Sequence, residues 1–61
     1  MTMEIKKLLL EKGITQRDLA KKLNISQPAL SKKFKLDNWR ERDLEAIAEV
    51  CGCKFVGKFI E

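Results

Sequence analysis

The three residues Asn24-Ile25-Ser26, followed at Pro28 by the only proline of the chain, constrain the fold more than any other stretch. They lie within "LNISQPAL", between two segments that both show helical apolar spacing. A proline inside a helix removes a hydrogen bond and clashes with the preceding turn. In the first turn it lacks only an N–H that has no intrahelical partner. Asn tolerates the left-handed backbone because its short amide bonds locally. Ser is a strong N-cap. One reading satisfies all of these residues. A helix ends at Asn24, another is capped by Ser26, and Gln27 and Pro28 fill its first turn. Ile25 then plugs the angle between the two helices.

The flanking segments extend this pattern. An apolar stripe of Met1, Ile5, Leu8 and Leu9 predicts a helix over residues 2–12, "TMEIKKLLLEK", with Thr2 as its N-cap and Gly13 as its stop. Thr15 is the expected cap of a second helix, "QRDLAKKL", with Asp18 three residues on in a near capping box. Leu19 and Leu23 share one face of it, with Ala20 beside them. The third helix is expected to run through Leu30 to about Phe34. Residues 35–39, "KLDNW", read as a loop with two apolar anchors, Leu36 and Trp39. A fourth helix is expected from Glu41 to Cys51, because Leu44, Ile47, Ala48 and Cys51 form a buried stripe. Arg40 is a weak cap for it, and Gly52 ends it. Glu41, Asp43, Glu45 and Glu49 read as its solvated face.

The last nine residues, "CKFVGKFIE", change period. Lys54, Val56, Lys58 and Ile60 share one face of a strand. Cys53, Phe55, Gly57 and Phe59 share the other. One strand cannot pair with itself, so the expected partner is the same strand of a second copy across a twofold axis. Phe55, Val56, Gly57, Phe59 and Ile60 are therefore the candidate dimer interface. The other reading of this segment is a helical or disordered tail.

Sixty-one residues make one small domain. The sequence contains no His, which removes Cys–His and Ser–His nucleophile pairs, and it has no Gly-rich phosphate loop. The expectation is no catalytic residue, no cofactor and no small-molecule ligand. Cys51 and Cys53 are too close in sequence for an easy bridge, and they make an incomplete metal set. We read them as reduced thiols of a cytoplasmic protein, with Cys51 in the core. There is no 18-residue apolar run and no charged leader, so neither a membrane span nor a secretory signal is expected.

Charge is unevenly placed. From Lys12 to Leu36 there are seven bases and one acid, whereas from Asp37 to Cys51 there are five acids and two bases. A basic block beside an acidic flank suits a face aimed at a polyanion. A soluble helical surface with unevenly placed lysines is the plainer reading of the same numbers.

Two short helices joined by a three-residue turn, the second opening on polar residues, make a helix-turn-helix pattern. "TQRDLAKKLNISQPALSKKF" resembles the lambda-repressor-like, Cro-type DNA-binding domain of phage repressors and small bacterial regulators. The likeness is carried by Gln16, Leu19, Ala20, Leu23, Ile25 and Leu30, and by the later segment "LEAIAEVCGC". It covers roughly residues 3 to 52. Asn24 replaces the usual turn glycine, and Lys33 stands where an apolar residue is more usual. A C-terminal strand stands in place of the family's frequent fifth helix, as in Cro-like proteins that pair such strands.

The resemblance implies an all-α, four-helix domain over residues 1–52 and a dimerising C-terminal strand over residues 53–61. It implies sequence-specific binding of double-stranded DNA by a homodimer, as a transcriptional repressor on a two-half-site operator. The location would be the cytoplasm of a bacterial or phage-infected cell, at the nucleoid. Gln16 falls where the family contacts phosphate and braces the first recognition residue. Gln27, Pro28, Ser31 and Lys32 fall on the groove-facing positions, an assignment that agrees with their lying away from Leu30 and Phe34. Gln pairs with adenine, Lys bonds the acceptor edge of guanine, and Pro28 offers an apolar contact to a thymine methyl. Arg17, Lys35, Asn38 and Arg40 are candidate phosphate contacts. Two other functions fit the same residues: a protein-interaction or antitoxin-type module that uses the apolar tail, and a non-specific architectural DNA binder.

Overall fold

A computed structural model of the chain describes residues 1–60, so Glu61, the last residue of the expected terminal segment, lies outside the described residues. The chain forms α1 (Thr2–Lys12), α2 (Gln16–Leu23), α3 (Gln27–Leu36) and α4 (Glu41–Val50), then β1 (Lys54–Phe55) and β2 (Phe59–Ile60). The core is built from the residues the helical period selects. Ile5, Leu19, Leu30 and Ile47, one from each helix, are fully buried, and Leu8, Leu9, Ala20, Phe34, Leu44, Ala48 and Cys51 complete the core. Burial holds the Cys51 thiol above its usual pKa, with neighbouring Cys53 acting in the same direction, so it stays protonated.

Helix α1 is not capped by its own Thr2. Met1 is the N-cap residue, and Thr2 is already helical. The acceptor comes from 35 residues away. One Asp37 carboxylate oxygen accepts from the Thr2 backbone N–H at 3.0 Å and from the Thr2 hydroxyl at 2.7 Å. The same hydroxyl accepts from the Trp39 indole N–H at 2.9 Å. Trp39 is half-buried, packs on the core and meets Phe34 edge-on, ring centroids 4.9 Å apart. It is a core anchor. Leu36 is not, since 59% of it is exposed.

The third helix is longer than the sequence indicated. It includes Lys35 and Leu36 and ends at Asp37, which adopts the left-handed conformation (φ 50°, ψ 41°). The Asn38 N–H closes that end by donating to the Lys33 carbonyl at 3.2 Å. Helix α4 begins at Arg40 without a Ser or Thr cap. Asp43 takes over, accepting from the Arg40 backbone N–H at 3.0 Å and pairing with Lys33 Nζ at 3.1 Å. Asp43 thus belongs to the α3–α4 junction and is half-buried there, unlike the exposed Glu41, Glu45 and Glu49.

The C-terminal segment is not a single strand. β1 and β2 form an antiparallel hairpin within the chain, with Lys54 opposite Ile60 and Phe55 opposite Phe59. Gly57 makes this possible: it sits at the turn with φ +71°, a conformation that costs glycine no steric clash. The expected alternation of faces survives the turn. Cys53, Phe55 and Phe59 pack against the helical core, while Lys54, Val56, Lys58 and Ile60 are exposed.

Candidate nucleic-acid interface

The turn between α2 and α3 is closed at both ends. Thr15 Oγ1 accepts from the Asp18 N–H at 3.1 Å to start α2. At its far end Asn24 is left-handed (φ 60°, ψ 41°). The Ile25 N–H reaches back to the Ala20 carbonyl at 3.0 Å, and the Asn24 N–H to that of Lys21 at 3.2 Å. These two bonds make a Schellman-type stop that carries Asn where Gly is commonest. Ser26 then caps α3, its Oγ accepting from the Ala29 N–H at 3.2 Å. Pro28 stands in the first turn, where its missing N–H costs nothing. Ile25 is half-buried against the core in the angle between the helices.

These caps fix how α3 is rotated. Leu30 and Phe34 are buried, so the opposite face of α3 is turned to solvent. Gln27, Pro28, Ala29, Ser31, Lys32, Lys35 and Leu36 are all exposed on it. Gln16 and Arg17 are exposed at the start of α2, and Asn38 and Arg40 are exposed on the α3–α4 connection. All nine residues expected to contact DNA are therefore accessible. Among the described residues, Arg17, Lys32 and Lys35 take part in no ion pair, whereas the Lys33 ammonium is committed to Asp43. The exposed face of α3 is consequently cationic, with no acidic side chain between Gln27 and Leu36.

A helix-turn-helix family model matches residues 5–57 of the chain. The chain belongs to the helix-turn-helix family. Its four helices and terminal hairpin agree with the lambda-repressor-like form of that fold. Neither a curated protein nor a solved structure matches it. A helix-turn-helix protein of this kind is a DNA-binding transcription regulator, and α2 and α3 are the two helices of its motif. No helix among the described residues is long and apolar enough to cross a membrane. Among the same residues, no cluster of three or more Cys, Asp or Glu side chains is placed to hold a metal ion.

Two features of this helix-turn-helix face escaped the sequence. Leu36 reads from the sequence as an apolar anchor of a loop, yet it is the last residue of α3 and lies on its exposed side. Extending the period from Leu30 and Phe34 would have revealed this, since Leu36 is eight residues past Pro28 and four past Lys32. The Thr2–Asp37–Trp39 cluster, which braces the end of α3, joins residues more than thirty positions apart, and no local pattern signals it.

Proposed function

We propose that the chain is a sequence-specific double-stranded DNA binder that represses transcription as a homodimer on an operator of two half-sites. One observation carries this reading: α3 starts on a Ser26 cap and turns Gln27, Pro28, Ser31 and Lys32 outward, with its apolar side held in the core. In this reading α3 lies in the major groove and those four side chains meet base edges. Gln27 pairs with adenine and Lys32 bonds guanine. Gln16, Arg17, Lys35, Asn38 and Arg40 bind phosphates on either side and set position and affinity.

The dimer forms through residues 53–61 in the same reading. Phe55 and Phe59 already serve their own chain, so the outward side chains Val56 and Ile60 carry the contact, and Gly57 shapes the turn that presents them. Val56 is 69% exposed and Ile60 43% exposed, next to Lys54 and Lys58. Two linked recognition helices gain affinity through effective concentration, which a single short helix lacks. The location that follows is the cytoplasm, at the nucleoid.

Selection of binding sites from a random duplex pool, followed by a salt series on the selected duplex, tests the proposal. A pseudo-palindromic site with half-sites about one helical turn apart is the expected result. Steep salt dependence with no preferred sequence would instead mark an architectural binder. A dimer with no affinity for duplex DNA would point to a protein-interaction module.

A further inference from the structure

Along the outermost line of α3, Pro28, Lys32 and Leu36 follow at intervals of four residues, directly opposite the buried Leu30 and Phe34. The crest is thus apolar at both ends and cationic in the middle. Leu36 is the unexplained member. It is a large aliphatic side chain, mostly exposed, in the last position of the helix, where the left-handed Asp37 turns the chain away. It borders two shallow depressions, one shared with Pro28, Ser31, Lys32 and Lys35, the other with Ala29, Lys33 and Asn38. Both depressions have lysines on their rims and no carboxylate. A polyanion fits that surround, and the apolar floor offers contact to a hydrocarbon group carried by it.

The major groove of DNA offers one apolar group, the 5-methyl of a pyrimidine. We propose that Leu36 is a specificity-determining residue that reads a pyrimidine 5-methyl group, at the opposite end of the crest from Pro28. The proposal rests on the DNA-reading function given above and narrows its target. Positions eight residues apart in a helix are separated by about 12 Å. Base pairs repeat about every 3.4 Å, so the two methyl groups lie about three to four base-pair steps apart in each half-site. The lysine between them faces the acceptor edge of an intervening base pair. The methyl is supplied by thymine or by 5-methylcytosine, which present the same group.

The test uses the full chain and the duplex it selects from a random pool. Each thymine is replaced in turn by deoxyuridine, which removes the methyl and nothing else. Each cytosine is replaced in turn by 5-methylcytosine, which adds one. Competition binding should find two methyl-sensitive positions per half-site, three to four steps apart, each worth about fourfold in affinity. Loss on deoxyuridine substitution identifies thymine as the source, and gain on cytosine methylation identifies 5-methylcytosine. Leu36→Ala, and Leu36→Gln as a second variant, should abolish sensitivity at one of the two positions and leave the other intact. Pro28→Ala should do the reverse.

A selected site indifferent to every methyl change would overturn the proposal while leaving the DNA-reading function standing. So would Leu36 variants that keep both sensitivities, or that change the oligomeric mass. Failure to select any sequence would overturn both.

Discussion

The Trp39 indole N–H donates to the Thr2 hydroxyl at 2.9 Å, tying the start of α1 to the connection between α3 and α4. The hydroxyl donates in turn to the Asp37 carboxylate at 2.7 Å, and the same carboxylate also accepts from the Thr2 backbone N–H. These bonds hold the Asp37 carboxyl below its ordinary pKa. One side chain therefore supplies an acceptor to Trp39 and a donor to Asp37, and the carboxylate caps a helix it does not belong to. Thr2→Val keeps the shape and removes the hydroxyl's bonds to Trp39, Asp37 and the Phe34 carbonyl. It should lower stability by about 1–2 kcal/mol, because the half-buried indole N–H loses its partner. In a domain of this size that is a fall in Tm of roughly 4–16 °C, read by thermal melting. Thr2→Ser should restore most of it.

The Lys33–Asp43 pair gives a prediction in pH. Burial alone would raise the Asp43 pKa, but the bond from the Arg40 N–H and then the Lys33 ammonium outweigh it, and the net shift is downward from 3.8. A carboxylate whose folded pKa is depressed stabilises the fold above its unfolded pKa. That stability is lost as pH falls through the folded value. Asp43→Asn should therefore cost about 1 kcal/mol near neutral pH, where the cap and ion pair are intact. The gap from the natural chain should close below about pH 4. Urea unfolding at a series of pH values measures it, and a gap independent of pH would contradict the assignment.

How much of this was legible in the sequence follows from the range of the interactions. Thr15, Asn24 and Ser26 act on groups within five residues, and their roles could be read directly. The buried stripes of α1 and α4 follow from period alone. Thr2, by contrast, looked like a local cap because Asp37 is invisible from its neighbourhood. Leu36 reads as a loop anchor only while α3 is ended at Phe34; two more helical residues place it on the outer face. The terminal segment failed for a different reason. Its alternation holds on both sides of the turn, but alternation alone treats Gly57 as a face position, whereas its backbone freedom makes it the turn. For the DNA-facing residues, helical period and motif position are enough to turn them outward. Which bases they meet depends on a partner molecule outside the chain.

Asn24 should behave as a conformational specialist. It holds φ 60° at the end of α2, where a residue with an ordinary Cβ pays about 1 kcal/mol. Asn24→Gly should be neutral or slightly stabilising. Asn24→Ala should destabilise by about 1 kcal/mol and Asn24→Val by more, since branching crowds the left-handed region. Chemical denaturation of the three variants provides the ranking. If Ala equals Gly, the amide side chain contributes nothing to this turn.

The proposed dimer surface is open to a single substitution. Val56 is exposed on the outer face of the hairpin, so Val56→Asp leaves the chain's own core alone. A carboxylate buried at a twofold contact meets its own copy or an apolar surface, and either is strongly unfavourable. Light scattering should show dimer mass for the natural chain and monomer mass for the variant, with unchanged helical content. DNA affinity should fall with the mass. A variant that keeps dimer mass would move the interface away from the hairpin.

Base reading and phosphate anchoring should separate when Gln27 and Arg17 are compared. Gln27→Ala removes a side chain able to donate to and accept from one base, and it leaves the charge of the face unchanged. The selected site should lose discrimination at one base pair per half-site, by about 1–3 kcal/mol, while affinity for random duplex stays the same. Arg17→Ala should do the opposite. It should weaken binding to all sequences alike and reduce the salt slope by about one phosphate contact per subunit. Repeating the random-pool selection and the salt series on both variants gives all four quantities. An unaltered site profile for Gln27→Ala would remove Gln27 from the recognition surface, and Lys32 would then be the polar reader nearest the centre of the crest.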